Sequence, residues 1–158
     1  MRTYVALAGD KNVSLPAELG DALVLFHQIE KELKTDEPAC LCHNDLLAGN
    51  FIDDGRTMHL IDWEYGGRGD RFFDLGNFAV NLQLSEEEEK TFLAGYFGEA
   101  RAEHLRRLKL MRLASDLRES SWGFLQSALS TLHPAQYYLD YGNKHLRRFL
   151  AEAKRFEL

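Results

Sequence analysis

The chain has 158 residues, 45% of them hydrophobic, enough to bury roughly 70% of the unfolded surface in one domain and too few for a second full one. Nineteen Lys and Arg against 25 Asp and Glu leave a net charge of −6, with no basic stripe to follow phosphates, so nucleic acid is excluded as the expected partner. No apolar run nears the roughly 18 residues of a membrane span, and the Met1-Arg2 start with Thr3 to Ala8 is too short for a signal peptide, so a soluble cytoplasmic chain without a membrane partner is expected.

The first fourteen residues are mixed and carry no committed pattern, and residues 1–158 are expected to form a single domain with 1–14 poorly defined. From Ser14-Leu15-Pro16 onward, Leu19, Leu23, Phe26, Ile29 and Leu33 recur at three- or four-residue steps, an amphipathic helix ending near Lys34. Thr35-Asp36-Glu37-Pro38 is a loop. Short apolar pieces follow at Ala39 to Cys42, Asn50 to Ile52 and Met58 to Ile61, with Asp53-Asp54-Gly55 as a hairpin turn between the last two. Cys40 and Cys42 are too few for a four-ligand zinc cluster, and a site joining them to His43 is disfavoured because adjacent strand residues point to opposite faces. Gly66-Gly67-Arg68-Gly69 reads as a flexible loop. Helical patterning resumes from Phe72 to Leu84. Ser85 and Glu88 form a capping box for the next helix, which Gly98 closes, and Glu86 to Glu89 are read as a solvated face. A long helical stretch from about Ala100 to Leu132 breaks at His133-Pro134, and a final helix runs from Ala135 to Phe156.

The segment His43-Asn44-Asp45-Leu46-Leu47-Ala48-Gly49-Asn50 places an aspartate two residues after a histidine and an asparagine five residues further on, the spacing of a kinase catalytic loop. A carboxylate must reach the acceptor hydroxyl while an amide oxygen in the same loop reaches a magnesium ion on the nucleotide phosphates; Asp45 and Asn50 fit those needs. Leu60-Ile61-Asp62 brings a second carboxylate back beside that loop through the hairpin, where hard Mg2+ would take Asp62 and Asn50 as oxygen ligands.

With Ile61-Asp62-Trp63-Glu64-Tyr65, Phe73-Asp74-Leu75-Gly76-Asn77, Ser121 to Gln126 and Tyr141 to Phe149, the catalytic-loop spacing resembles the choline and ethanolamine kinases, a branch of the aminoglycoside phosphotransferase and protein-kinase-like group. The bacterial choline kinase-like proteins look most similar. The resemblance implies an α+β, mostly helical fold: the C-terminal lobe of a protein-kinase-like fold, with a small β-hairpin region carrying the catalytic and metal loops and the N-terminal lobe absent. It implies ATP-dependent phosphotransfer to the hydroxyl of choline, ethanolamine or a related amino alcohol. Asp45, Asn50 and Asp62 would be catalytic, Asn50 and Asp62 would hold Mg2+, and ATP would be the phosphate donor. Asp45, Glu64, Tyr65, Trp122 and Tyr141 would bind the acceptor, its ammonium lying against aromatic faces. His43 would support the loop and Asp74 would anchor it from beneath, although Asp74 reads equally well as a helix N-cap. Leu125 departs from the fuller aromatic cage of choline kinases. His27, His59, His104, His133 and His145 read as surface or packing residues.

Two other readings stay open: an aminoglycoside or other small-molecule kinase, because the Asp45, Asn50 and Asp62 chemistry is shared, and a truncated, non-catalytic cation-binding or interaction lobe. Family members carry a glycine-rich hairpin and a strand lysine upstream of the catalytic loop, so poor turnover by this chain alone is expected. The expected partners are the amino alcohol and ATP, together with either a second copy of the chain or an N-terminal lobe.

Overall fold

The computed structural model describes residues 1–156. The described chain divides into two compact units, one made of residues 1–34 and the chain from Asp116 on, the other of Thr35–Ser115.

Among the described residues, the first unit is built of helices and their connections. Helix α1, Arg2–Asp10, occupies the segment that carries no sequence pattern. It buries only Ala8, so its seating leaves no apolar stripe to read. Helix α2, Glu18–Glu32, follows the expected periodicity and buries Leu19, Ala22, Phe26 and Ile29. The later part of α5 (Ala102–Leu129) and all of α6 (Ala135–Ala153) complete the unit, and α2 packs against α6. Two glycines let α5 and α6 touch backbone to backbone: a Cβ on Gly123 would stand 2.9 Å from Gly142 N, and one on Gly142 would stand 2.8 Å from the Phe124 ring. Charge is buried beside this contact. Asp116 is 1% exposed, takes 2.9 Å bonds on both carboxylate oxygens from Arg148 Nε, and meets His145 Nδ1 at 2.8 Å. His145 thus has a charged partner that no sequence spacing announced.

The second unit holds four short strands and the helices beneath them. Strand β1, Cys40–Cys42, pairs antiparallel with β4, Gly67–Gly69, in the register Cys40 to Gly69 and Cys42 to Gly67. The glycine run expected to be a flexible loop is therefore a strand. Its glycines suit the place, since a Cβ on Gly69 would lie 3.4 Å from Cys42 Sγ. Strands β2, Phe51–Asp53, and β3, Met58–Leu60, form the expected hairpin. Asp54 Oδ1 accepts from Arg56 N and Thr57 N at 2.8 Å each, Asp54 Oδ2 lies 2.9 Å from His59 Nε2, and Gly55 takes φ +84.

Helix α3, Arg71–Asn81, is capped by Asp70, whose side chain accepts from Phe72 N at 2.9 Å. Its Gly76 lies so close to α5 that a Cβ would come within 2.6 Å of the Met111 carbonyl carbon. Helix α4, Glu86–Phe97, has the expected Ser85/Glu88 capping box and ends on Gly98 at φ +83. It packs on α3 through stacked Phe78–Phe92 and Phe72–Phe97 pairs. Glu86 to Glu88 are exposed as expected, but Glu89 is 1% exposed and paired with Arg112.

Candidate active site

The loop from His43 to Asn50 leaves β1 and enters β2, and α3 holds it from below. Asp74 Oδ2 accepts from His43 N and Asp74 Oδ1 from Asn44 N, both at 2.7 Å. One turn along the same helix, buried Asn77 accepts from Leu46 N at 2.5 Å and donates to Ser115 Oγ at 3.0 Å. Of the two sequence readings of Asp74, the N-cap belongs to Asp70, and Asp74 receives the loop backbone instead. Asn77 is a loop anchor that the catalytic-loop spacing does not reveal. It stands in the Phe73-Asp74-Leu75-Gly76-Asn77 stretch, one turn after Asp74.

His43 is 1% exposed and bonds in two directions. Its Nε2 donates to the Ile61 carbonyl at 2.8 Å, while Nδ1 accepts from Asp45 N at 3.3 Å. A carbonyl can only accept and an amide N–H can only donate, so the imidazole is neutral with its proton on Nε2. Its edge also meets the Trp63 ring, centroid to centroid 4.7 Å. The histidine thereby joins the loop bearing Asp45 to the segment bearing Asp62.

Asn50 makes the second join. Its Nδ2 donates to the Asp45 carbonyl at 2.8 Å, and its own carbonyl accepts from Ile61 N at 3.0 Å. Committing the nitrogen to Asp45 leaves the amide oxygen as the end for a ligand. Asp62 follows directly, with an exposed side chain and a backbone at φ 63, where residues other than glycine are uncommon. Asn44 shares that conformation at φ 65. An amide oxygen and a carboxylate on segments bonded to one another fit a hard divalent cation that keeps most of its contacts for water and phosphate oxygens.

Glu64 and Tyr65 occupy the exposed turn after Asp62, closed by Gly66 N donating to the Trp63 carbonyl at 2.9 Å. Cys42 lies behind the loop. Burial first, then the Asp74 carboxylate and the Cys40 thiol 3.8 Å away, push its thiol up to about 12. Trp122 and Tyr141 belong to the helical unit, where their rings meet edge to face at 5.8 Å. Tyr138 meets Trp122 at 6.0 Å, and the Tyr141 hydroxyl donates to Glu119 at 2.7 Å. The expected site residues thus form two local groups: His43, Asp45, Asn50, Asp62, Glu64, Tyr65 and Asp74 in one unit, Trp122 and Tyr141 in the other.

Residues 3–111 match the phosphotransferase enzyme family. The chain is 28% identical over 137 residues to a probable ethanolamine kinase of Arabidopsis thaliana, covering 69% of this chain and 37% of that protein. It is 28% identical over 130 residues to protein LicA of Haemophilus influenzae, covering 77% of this chain and 38% of that one. The crystal structure of a choline/ethanolamine kinase family protein from Mesorhizobium loti superposes with a TM-score of 0.79 at 29% identity, over 94% of this chain and 53% of that one. The expected fold class, mostly helical with small antiparallel strands as in these kinases, is the observed one. The chain spans between about a third and about half of the length of these relatives.

Proposed function

We propose that this chain, which belongs to the phosphotransferase enzyme family, carries the catalytic machinery for ATP-dependent phosphoryl transfer to the hydroxyl of a small amino alcohol, choline or ethanolamine. The observation that carries the reading is the double fastening of the Asp45 loop to the Asp62 segment, by His43 to Ile61 O and by Asn50 O to Ile61 N. Phosphoryl transfer is mostly positioning and charge neutralisation, so a rigid relation between the group that orients the hydroxyl and the groups that hold the metal is what the reaction requires.

Asp45 orients the acceptor hydroxyl and takes up its proton as the oxygen attacks. The amide oxygen of Asn50 and the carboxylate of Asp62 would hold Mg2+. The ion, when bound, neutralises the phosphate charge and leaves the chain's residues to set the line of attack. Asp74 and Asn77 keep the loop backbone from drifting. A quaternary ammonium group is assigned to Trp122 and Tyr141, since a cation with no N–H groups is held by aromatic faces worth about 0.5 to 2 kcal/mol each. In the unit that bears Asp45, Glu64 and Tyr65 are the residues assigned to the acceptor. The names of the relatives, a probable ethanolamine kinase and a choline/ethanolamine kinase family protein, support this acceptor class over an aminoglycoside.

The test is phosphate transfer from radiolabelled ATP to choline, ethanolamine and an aminoglycoside, with ligand binding followed in parallel by calorimetry. Slow, magnesium-dependent transfer to an amino alcohol is expected, lost in Asp45→Asn and requiring more magnesium in Asp62→Ala. Trp122→Ala is expected to weaken choline binding roughly thirtyfold, equivalent to about 2 kcal/mol. Transfer to the aminoglycoside alone would overturn the acceptor assignment, and an unchanged rate in Asp45→Asn would remove Asp45 from the mechanism.

A further inference from the structure

His43 and Asn44 are consecutive, and both backbone N–H groups end on the same Asp74 carboxylate. Their side chains then reach the Asp62 segment on either side of Asp62. His43 Nε2 holds the carbonyl of Ile61, immediately before it, and Asn44 Nδ2 donates to the carbonyl of Tyr65, three residues after it, at 2.9 Å. Between these two points lie the left-handed backbone of Asp62 and the turn that Gly66 N closes on Trp63 O. A left-handed aspartate persists where its surroundings enforce it, and these two bonds bracket it.

We propose that Asn44 is a positioning residue for the metal-binding carboxylate. Its amide clamps the turn after Asp62 onto the catalytic loop, so that Asp62 is fixed from both sides rather than from Ile61 alone. The inference rests on the proposed phosphotransfer site. The position demands an unusual combination. Its φ of 65 favours glycine, asparagine or aspartate, and the bond to Tyr65 O demands a short side chain with a donor. Glycine has no donor and aspartate would set a carboxylate oxygen against the carbonyl, which leaves asparagine. The amide also lies over β4, where a Cβ on Gly67 would stand 3.8 Å from Nδ2 and one on Gly69 4.0 Å from Oδ1.

Two variants separate clamp from fold. Asn44→Gly allows the left-handed backbone and deletes the amide, and Asn44→Asp keeps the shape and replaces the donor with a carboxylate oxygen. Hydrogen exchange of the full chain is read without metal or nucleotide, and Mn2+ affinity in the presence of ATP is read by electron paramagnetic resonance. In both variants the Gly66 amide is expected to exchange roughly five- to tenfold faster while α6 amides keep the parent rate, as expected for the loss of one local hydrogen bond. Mn2+ is expected to bind roughly tenfold more weakly. Unchanged exchange at Gly66 in Asn44→Gly would overturn the clamp. Faster exchange with parent-like Mn2+ affinity would overturn its role in positioning Asp62. If the parent itself binds no Mn2+ with ATP, the proposed function falls, and the exchange result still decides the clamp.

Discussion

Removing the Asp74 carboxylate is the sharpest stability test of the site's foundation. Two backbone N–H groups, from His43 and Asn44, each donate to it at 2.7 Å, and the side chain is neither fully buried nor free in solvent. A hydrogen bond to a charged group contributes about 1.5 to 3 kcal/mol, and partial exposure favours the lower figure for each of the two. Asp74→Ala is therefore expected to destabilise the chain by about 3 kcal/mol, and at about 2 to 4 °C per kcal/mol for a chain of this size the midpoint should fall by about 6 to 12 °C. Asp74→Asn is expected to recover less than half of that loss, because its single oxygen serves one N–H while its NH2 group faces the other donor. Thermal unfolding followed by circular dichroism gives the shift, and hydrogen exchange at His43 and Asn44 gives its location. A shift in Asp74→Ala equivalent to less than about 0.5 kcal/mol, or a shift without faster exchange at these two amides, would refute the account.

Two further outcomes follow from groups inside the same unit. Arg112→Ala leaves Glu89 buried without its guanidinium partner, and urea unfolding should register a loss of about 3 to 5 kcal/mol, whereas the same substitution at exposed Arg56 should cost little. The Cys42 thiol is raised to about 12, chiefly by burial and then by the Asp74 carboxylate. A raised acid group contributes stability that is intact below its unfolded value, about 8.5, and is lost as pH climbs toward 12. Alkaline unfolding should accordingly be shallower in Cys42→Ala than in the parent between pH about 9 and 12, and iodoacetamide at pH about 8 should label Cys40 before Cys42 in the native chain.

What was legible in the sequence was local. Asp45 and Asn50 lie in one loop, Asp62 lies one hairpin away, and the turn chemistry of Asp53-Asp54-Gly55 closes that hairpin, so spacing alone assembles them. The capping box at Ser85 and Glu88 and the αL stop at Gly98 were legible for the same reason. What escaped depends on partners distant in sequence. Gly67-Arg68-Gly69 has no strand pattern and becomes a strand only because Cys40–Cys42 lies alongside it. Glu89 sits in a run of four glutamates and is singled out only by Arg112 from α5. Asp74 reads as a cap by sequence, and the bond to Phe72 N gives that place to Asp70. Helix α1 buries a single alanine, too little apolar surface to leave a period.

The aromatic pair assigned to the acceptor rests on the same kind of distant contact. Trp122 immediately precedes Gly123, and Tyr141 immediately precedes Gly142, the two glycines at which α5 and α6 touch. A methyl group at Gly142 would meet the Phe124 ring at 2.8 Å and the Ser120 carbonyl at 3.0 Å, and the carbonyl, being helix backbone, cannot turn aside. Gly142→Ala must therefore push the helices apart, and overpacking of this kind costs about 1 to 3 kcal/mol. The better intrinsic helix propensity of alanine offsets at most about 1 kcal/mol of that. Separation of the helices would also draw the Trp122 and Tyr141 rings away from their 5.8 Å edge-to-face contact. The variant should thus show both a lower unfolding midpoint and a changed near-ultraviolet circular dichroism band, while Gly95→Ala, in α4 with nothing within 4 Å of its Cβ position, should be neutral or slightly stabilising. A Gly142→Ala chain as stable as the parent with an unaltered aromatic band would mean that the two glycines do not set the spacing of the pair.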